Sequence, residues 1–278
     1  PGESDYTRYD RAVVAETLRW FQDKAKEEQR RPWCLYVGLV APHFPLICPE
    51  PIYSKYRAMD LPEPKLHPRA GHKRHPWVEK QNAFFDSEAA FRSEAERKDA
   101  IAAYWGLCAW MDQNVGAILE GLAASGLEAD VIYSSDHGDN VGARGLWGKS
   151  NLYDDAAAIP LIASIDGMAK GVCETPVSLL DVAETIPAAL GVEWTGSRPG
   201  RSLVEIAAET DDPEREVISQ YHAAGSVSGA FMLRAGRWKY LEYIGFEPEL
   251  FDLKANPEES ENLASTYPDV VKDLAKRL

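Results

Sequence analysis

The sequence contains no run of about 18 apolar residues, so no segment of it predicts a helix that spans a membrane. It has only four cysteines, and none forms a C-x-x-C pair that would indicate a redox motif or a zinc ribbon. We expect Cys34, Cys48, Cys108 and Cys173 to be reduced and structural. Basic residues are in deficit as well: the formal net charge is −14, which argues against nucleic-acid binding as the main role. Internal repeats and low-complexity tracts are absent from the sequence.

The composition that remains is that of an ordinary globular protein, 45% apolar and 27% charged. A length of 278 residues suits one large domain, or a domain with a small appendage. An acidic chain that handles an anionic substrate needs local positive charge in its site, from a metal or a lysine. The chain begins with Pro1-Gly2 and not with Met, so we expect it to be part of a longer protein. A cytoplasmic location is favoured, and the question of a leader segment stays open.

Hydrophobic periodicity predicts an alternation of helices and strands up to Leu190. One buried strand is predicted at Trp33–Val40, where it leads into Ala41-Pro42-His43-Phe44-Pro45, and a second begins at Val131. Residues 45–85 are rich in proline, which indicates an irregular cover on the substrate side of the sheet. The other predicted elements are helices at Asp10–Lys26, Glu88–Ser125 and Val177–Leu190 and a short strand at Ile159–Ala163.

The pattern changes from about residue 214 to short strands with antiparallel character. Ala235-Gly236 is typical of a hairpin turn between two of them. We therefore predict an α/β core over residues 1–210 and a small α+β subdomain over residues 211–278. The predicted elements of the subdomain are strands at Val217–Tyr221, Gly229–Arg234, Arg237–Tyr243 and Leu250–Leu253 and a final helix near 267–277.

The most informative stretch is the apolar run from Val131, which ends in Ser135-Asp136-His137-Gly138 and is followed by a glycine-rich loop that carries Lys149. A buried strand that stops at metal-ligand side chains is how open α/β sheets place chemistry at their carboxyl edge. Asp136 and His137 together could hold a divalent cation, and Lys149 could hold the anion bound to it. The alternative is that Asp136 caps a turn, that His137 is a satisfied loop histidine and that Lys149 is a solvated lysine.

These residues resemble the sulfatase family of the alkaline-phosphatase superfamily. The resemblance runs through the whole chain in the order of the family's segments, and each segment is weak alone. It rests on Pro42-His43-Phe44-Pro45, Met111-Asp112-Gln113-Asn114-Val115-Gly116, Ser135-Asp136-His137-Gly138, Gly145-Leu146-Trp147-Gly148-Lys149, Thr185-Ile186-Pro187 and Glu249-Leu250-Phe251-Asp252-Leu253. It implies an alkaline-phosphatase-like mixed sheet flanked by helices, present in part, with a small C-terminal α+β subdomain.

The resemblance also implies what the chain does not contain. The family's nucleophile, a formylglycine made in a Cys/Ser-x-Pro-x-Arg motif, and a pair of metal-binding aspartates precede the strand that resembles Trp33–Val40. The chain therefore resembles the C-terminal portion of a sulfatase, and alone we expect it to be inactive. Ser197-Arg198-Pro199-Gly200-Arg201 fits the motif as text. It lies after the metal segment and is not preceded by a strand, so we interpret it as a loop.

In the family's terms, Asp136 and His137 are metal ligands, and Lys149 pairs with a substrate oxygen near the bridging atom. His43 is a second catalytic residue, which binds the oxyanion or protonates the leaving group; it could instead be a rigid loop residue. Arg144 and His222 are candidate substrate-binding residues, with a solvated arginine and a strand-end histidine as the alternatives. His67, His72 and His75 have spacing that would allow zinc, but the segment lacks cysteines.

His137 stands where many sulfatases carry asparagine. In this respect the chain resembles the branch of the family that contains choline-sulfatases and phosphonate monoester hydrolases. The expected cofactor is a divalent metal, Ca²⁺ or Mn²⁺; Ca²⁺ prefers oxygen ligands, and an imidazole suits Mn²⁺ or Zn²⁺. The expected partner is a small-molecule sulfate ester, with no nucleic acid and no membrane. Exposed strand edges would favour a homo-oligomer. The alternatives are a phosphonate or phosphate ester hydrolase of the same superfamily, and a non-catalytic binding module.

Overall fold

The computed structural model describes residues 1–28, 31–192, 196, 198–223 and 225–278. The helices are α1 (Asp5–Lys24), α2 (Ile52–Arg57), α3 (Pro76–Phe84), α4 (Glu94–Ser125), α5 (Asp154–Ala157), α6 (Leu179–Ala189), α7 (Leu203–Ala208) and α8 (Pro268–Arg277). The strands are β1 (Val131–Ser134), β2 (Leu161–Ser164), β3 (Val217–Tyr221), β4 (Ala230–Ala235), β5 (Trp238–Tyr243) and β6 (Glu249–Asp252). Within these described ranges, no helix is both long and apolar enough to cross a membrane.

The chain forms two compact units, each made of two stretches of sequence. The first unit comprises Pro1–Lys65 and Ser87–Ala129, and the second comprises Leu66–Asp86 and Asp130–Leu278. The predicted division of the chain near residue 210 stays a prediction, because these units follow a different division. Leu66–Asp86 joins the second unit since Trp77 and Val78 pack into the same core as residues of β4, β5 and β6.

In the first unit, helix α1 begins five residues before its predicted start. Ser4 caps it: the Thr7 backbone N–H donates to Ser4 Oγ at 3.1 Å, and the Ser4 backbone N–H donates to Thr7 Oγ1 at 2.9 Å. Asp10 is fully buried and accepts hydrogen bonds from the backbone N–H groups of Val40 at 2.7 Å and Ala41 at 3.1 Å. Helix α1 thereby fixes the segment that leads to His43. Helix α4 ends as predicted, because Gly126 adopts the left-handed conformation, φ 71°.

The predicted buried strand at Trp33–Val40 is wrong. No described strand pairs with this segment; Cys34 and Tyr36 are exposed and its other residues are only half-buried. Tyr36 is 90% exposed. The N–H of Val40 binds the Asp10 carboxylate and not a neighbouring strand. An apolar run shows that a segment can be buried; it does not show which partner covers it.

In the second unit, β1 and β2 pair antiparallel, with Ser134 opposite Leu161. β3, β4, β5 and β6 form a separate antiparallel sheet in sequence order. Gly236, φ 58°, makes the predicted hairpin turn between β4 and β5. Helix α8 packs on this sheet through Leu274, which belongs to the same buried apolar cluster as Leu233 and Leu250. The predicted α/β class is confirmed, since helices and strands occur together in the described chain, with both sheets antiparallel.

Candidate active site

The loop from Ser135 to Lys149 begins where β1 ends. The Ser135 hydroxyl donates to the His137 carbonyl at 2.8 Å, and the His137 N–H donates to Asp136 Oδ1 at 3.0 Å. These short-range bonds form a tight turn in which the Asp136 side chain points outward and is 81% exposed. The sequence puts Asp and His after the strand, and the turn makes both side chains available on one side of it.

His137 has one ring nitrogen engaged and one directed at Asp136. Nδ1 lies 2.9 Å from the Gly138 carbonyl oxygen, so Nδ1 carries the proton and donates it. Nε2 then has a lone pair, and it lies 3.4 Å from Asp136 Oδ2. A histidine whose second nitrogen is held by a carbonyl is a common arrangement in metal ligands.

The Asp136–His137 pair fits two positions of a divalent cation's ligand shell, one oxygen and one nitrogen. It does not complete that shell: among the residues that the structure describes, no three His, Cys, Asp or Glu side chains group together to hold a metal ion. Four to six ligands are usual for such ions. The described part of the chain can therefore contribute to a cation site and cannot form one alone.

Gly138 allows the loop to lie directly on the segment around α5. Its N–H donates to the Ala156 carbonyl at 2.8 Å, and a Cβ at this position would lie 2.3 Å from the Asp155 carbonyl oxygen. No side chain larger than hydrogen fits that space without movement of the backbone. The glycine of Asp-His-Gly thus has a packing reason at this position.

Lys149 lies at the other end of the same loop, half-buried, after Gly148 with φ 70°. Between the two ends, Asp139 is a half-buried carboxylate whose Oδ1 accepts from the N–H groups of Val141 and Gly148, both at 2.9 Å. Burial raises the pKa of Asp139, and these two hydrogen bonds and the charges of Lys149 and His137 oppose that rise. Sequence analysis missed Asp139, because its role depends on a backbone group nine residues away.

Arg144 is buried in this loop, and its substrate-binding role stays a prediction. Its side chain is 1% exposed, so the alternative of a solvated arginine is wrong. Its guanidinium donates to Asp155 Oδ2 at 2.8 Å and to the Glu258 carbonyl at 2.9 Å, and it lies 4.0 Å over the Tyr153 ring. Arg144 therefore joins the loop to α5 and to the end of the chain.

Arg74 supports the same turn from the segment Leu66–Asp86. Its guanidinium donates to the carbonyl oxygens of Arg144 at 2.6 Å and Gly145 at 3.0 Å. The loop between Asp136 and Lys149 is therefore held from two sides by buried arginines.

His43 lies in the first unit, between two cis peptide bonds, Ala41–Pro42 and Phe44–Pro45. Its Nδ1 lies 2.7 Å from the Phe44 carbonyl oxygen, and its ring meets the Tyr6 ring edge-on at 5.8 Å. The catalytic role of His43 stays a prediction.

His222 follows β3 and is exposed, with Nε2 3.4 Å from Gln220 Oε1 and its ring 4.9 Å from the Phe231 ring. These contacts agree with a strand-end histidine, and its substrate-binding role also stays a prediction. His67 and His75 cap short helical turns: each accepts, at Nδ1, the N–H of the residue two positions later.

Ser197 lies outside the described residues, so the structure describes only part of the segment from Ser197 to Arg201. Arg198 Nε pairs with Glu184 Oε1 at 2.6 Å, and a Cβ on Gly200 would lie 2.2 Å from the Leu180 carbonyl oxygen. The Arg201 side chain pairs with Glu209 at 2.7 Å. Both arginines are thus engaged by glutamates near α6 and α7, which agrees with a packed loop.

Comparison with known proteins adds to this geometry. The family model described as "Sulfatase" matches residues 1–192, and the model described as "N-sulphoglucosamine sulphohydrolase, C-terminal" matches residues 142–278. Among curated proteins, a choline-sulfatase of Rhizobium meliloti (strain 1021) is 31% identical over 243 residues, which are 86% of this chain and 47% of that protein. Human arylsulfatase K is 27% identical over 304 residues, which are 99% of this chain and 55% of that protein.

Solved structures show the same fold. A phosphonate monoester hydrolase from Silicibacter pomeroyi matches with a TM-score of 0.79 at 23% identity, covering 95% of this chain and 58% of its own. A 2-O GAG sulfatase matches with a TM-score of 0.77 at 20% identity, covering 99% of this chain and 63% of its own. At these identities the likeness is evidence for the fold alone.

The chain spans about half the length of the curated relatives that it matches. The sulfatase model nevertheless matches more than half of the chain, over the part that carries His43, Asp136, His137 and Lys149. With a choline-sulfatase above 30% identity as well, the chain belongs to the sulfatase family.

Proposed function

We propose that the protein to which this chain belongs hydrolyses a sulfate ester with the help of a divalent cation, and that Asp136, His137 and Lys149 belong to its site. The observation that carries the proposal is the convergence of Asp136 Oδ2 and His137 Nε2, 3.4 Å apart, on the loop that ends in Lys149. Family membership supplies the reaction class. Because the chain spans about half of its relatives, the activity is proposed for the whole protein and not for these residues alone.

Asp136 and His137 would hold the cation as two of its ligands, and the remaining ligands would come from outside this pair. A bound cation would supply positive charge against the sulfuryl oxygens. The imidazole ligand favours Mn²⁺ over Ca²⁺, since Ca²⁺ prefers a shell of oxygens. The attacking group, which the family resemblance implies is a formylglycine, we place outside residues 1–278.

Lys149 and His43 of this chain would act on the leaving group of the substrate. The Lys149 ammonium would pair with the substrate oxygen near the bridging atom, where negative charge grows as the S–O bond breaks. His43 would donate a proton to the leaving alcohol, the general-acid role that histidine takes most often in enzymes. Asp136 and His137, held by the turn at Ser135, would keep their geometry during the reaction.

The test is hydrolysis of 4-nitrophenyl sulfate by the complete protein and by its Asp136→Ala and Lys149→Ala variants. We expect each substitution to lower kcat/KM by roughly 100-fold or more, the usual loss for one charge-stabilising group. Asp130→Ala is the matched control: this exposed aspartate binds the Asp166 N–H at 2.8 Å at the other end of β1 and should leave activity unchanged.

Two other outcomes would replace the proposal. If 4-nitrophenyl phenylphosphonate is turned over faster than the sulfate ester, the protein is a phosphonate hydrolase of the same superfamily. If both alanine variants keep the activity of the parent, these residues are not the site, and the reading of a non-catalytic binding module becomes the better one.

A further inference from the structure

We propose that Asp139 and Asn140 are positioning residues, which hold the backbone of Gly148 so that the next residue, Lys149, is fixed relative to Asp136 and His137. Family membership and the local bonds of the loop do not assign this role. Its catalytic meaning rests on the proposed function, whereas the positioning itself can be measured without any turnover.

Both backbone groups of Gly148, its N–H and its carbonyl, are hydrogen-bonded within the loop. The Gly148 N–H donates to Asp139 Oδ1 at 2.9 Å. The Gly148 carbonyl accepts from the Asn140 backbone N–H at 2.9 Å and also from the Asn140 side-chain amide. The side chains of two consecutive residues, Asp139 and Asn140, thus hydrogen-bond to the N–H and to the carbonyl of the same glycine.

These hydrogen bonds determine the position of the Lys149 backbone. The Gly148 carbonyl and the Lys149 N–H belong to one planar peptide group, so fixing that carbonyl also fixes the direction in which the Lys149 Cα lies. Gly148 has φ 70°, a backbone conformation that residues other than glycine rarely adopt. The chain can turn back toward Asp139 at this point because Gly148 has no side chain.

The loop carries a conformational cost that these bonds offset. Val141 has φ 46°, which is unusual for a β-branched residue, and its N–H donates to the same Asp139 Oδ1 at 2.9 Å. Strained backbone persists only where its surroundings hold it in place, and it is concentrated at functional sites. Asp139 therefore stabilises the strained entry of the loop and its exit at Gly148 with a single oxygen atom.

The choice of side chains points to function and not to packing alone. Asn140 is 3% exposed and Asp139 is half-buried, and withdrawing polar groups from water is costly unless they are bonded. The Asp139 carboxylate accepts from the N–H groups of both Val141 and Gly148, so its removal would release the loop at both places.

The activity test uses the complete protein and two esters, 4-nitrophenyl sulfate and phenyl sulfate. Asp139→Ala and Asn140→Ala should each lower kcat by roughly 10- to 100-fold with KM changed less than about threefold, because misplacing a catalytic group by about 1 Å has effects of this size. The loss should be larger for phenyl sulfate, whose poorer leaving group depends more on Lys149. Asp139→Asn should recover most of the activity, since its amide oxygen can accept the same two N–H bonds.

The Lys149→Ala background separates positioning from general damage to the fold. If Asp139 acts through Lys149, Asp139→Ala should change kcat by less than about twofold once Lys149 is absent. An equal loss with and without Lys149 would overturn the proposal.

A readout without turnover keeps the proposal distinct from the proposed function. The acetylation rate of Lys149 by acetic anhydride, followed by peptide mass spectrometry, should change at least about threefold in Asp139→Ala and little in Asp139→Asn, as expected for a side chain whose surroundings have changed. Exposed Lys170 is the internal control and should not change. If the parent hydrolyses neither ester but Lys149 responds in this way, the proposed function fails and the positioning stands. An unchanged Lys149 rate in a folded Asp139→Ala variant rejects the positioning.

Discussion

At the scale of single residues, the loop from Ser135 to Lys149 depends on the absence of a side chain at Gly138. Gly138 lies against the backbone of Asp155, and the space for a Cβ is filled by a carbonyl oxygen at 2.3 Å. Backbone cannot move aside as a flexible side chain can, so the cost of a methyl group here falls on the whole loop.

Gly138→Ala should therefore destabilise the protein by about 1–3 kcal/mol, measured by urea denaturation, and should also lower activity by displacing His137. Gly116→Ala is the matched control. Gly116 is inside helix α4, and nothing lies within 4 Å of where its Cβ would be. There the alanine should stabilise by up to about 1 kcal/mol, because it is the better helix former. Equal effects of the two substitutions would contradict the close approach at Gly138.

Glu249 is a second residue with a measurable signature. Its carboxylate is buried in the second unit, and Oε2 accepts from the hydroxyls of Tyr153 and Tyr243, both at 2.9 Å. Burial raises the pKa of Glu249 to about 7, because those two hydrogen bonds only partly offset the loss of water. The folded protein therefore keeps a proton on Glu249 at pH values at which the unfolded chain has released it.

The sign of the pH effect follows. Below pH 4.5, the ordinary pKa of a glutamate, Glu249 is protonated in both the folded and the unfolded state, and its contribution to stability is complete. As pH rises from 4.5 through about 7, that contribution is lost, and the loss amounts to up to about 3 kcal/mol. Glu249→Gln should therefore make the free energy of unfolding less dependent on pH between 5 and 8. Parallel pH profiles for parent and variant, measured by urea denaturation, would show that the proton is not there.

At the scale of elements, helix α6 depends on one buried carboxylate at its N-terminus. Asp181 accepts the Ser178 N–H at 2.8 Å, the Arg201 N–H at 2.9 Å and a bidentate pair from Arg215 at 2.7 and 3.0 Å. Burial alone would raise the pKa of Asp181, but the bonds from Arg215 and the two N–H groups outweigh it and lower the pKa. One side chain thus fixes the start of α6, the loop before α7 and the chain before β3.

Asp181→Asn should cost about 2–4 kcal/mol at pH 7, the range for removing one partner of a buried ion pair. The stability from a lowered carboxylate pKa is present above the unfolded value and is lost as pH falls through the folded value. The parent and the variant should therefore converge toward pH 3. Glu209→Gln, which removes an exposed partner of Arg201 in the same unit, should produce no measurable change in chemical denaturation.

The elements also show how far the sequence predicts this structure. The strand at Val131, the hairpin at Gly236 and the end of α4 at Gly126 were predicted because local signals determine them. The strand at Trp33–Val40 was not, since pairing depends on a partner that periodicity cannot report. Within the loop, Asp136 and His137 stood out by residue type. Asp139 did not, and the internal partners of Arg144 were not predicted either, because the partners of these two residues lie 9 and 114 residues away.

At the scale of the whole molecule, the described part of the chain brings together two side chains suited to a cation, Asp136 and His137, with no third such group beside them. Added Mn²⁺ should therefore raise the stability of the 278-residue chain by less than about 3 kcal/mol, the shift expected at several hundred times Kd. Thermal unfolding with and without the metal measures this. A larger shift that disappears in Asp136→Ala would mean that this chain completes the site alone.

The two units are interleaved along the sequence, and this has a consequence in time. Trp77 is fully buried among residues of β4, β5 and β6, yet it precedes them by roughly 150 residues. A ribosome that adds about 5–20 residues per second needs some 8–30 seconds to cover that distance. The first unit, complete at Ala129, can fold early, while Trp77 and Val78 wait uncovered for their strands. Stalling of synthesis between residues 130 and 230 should therefore leave a nascent chain that binds chaperones through this segment.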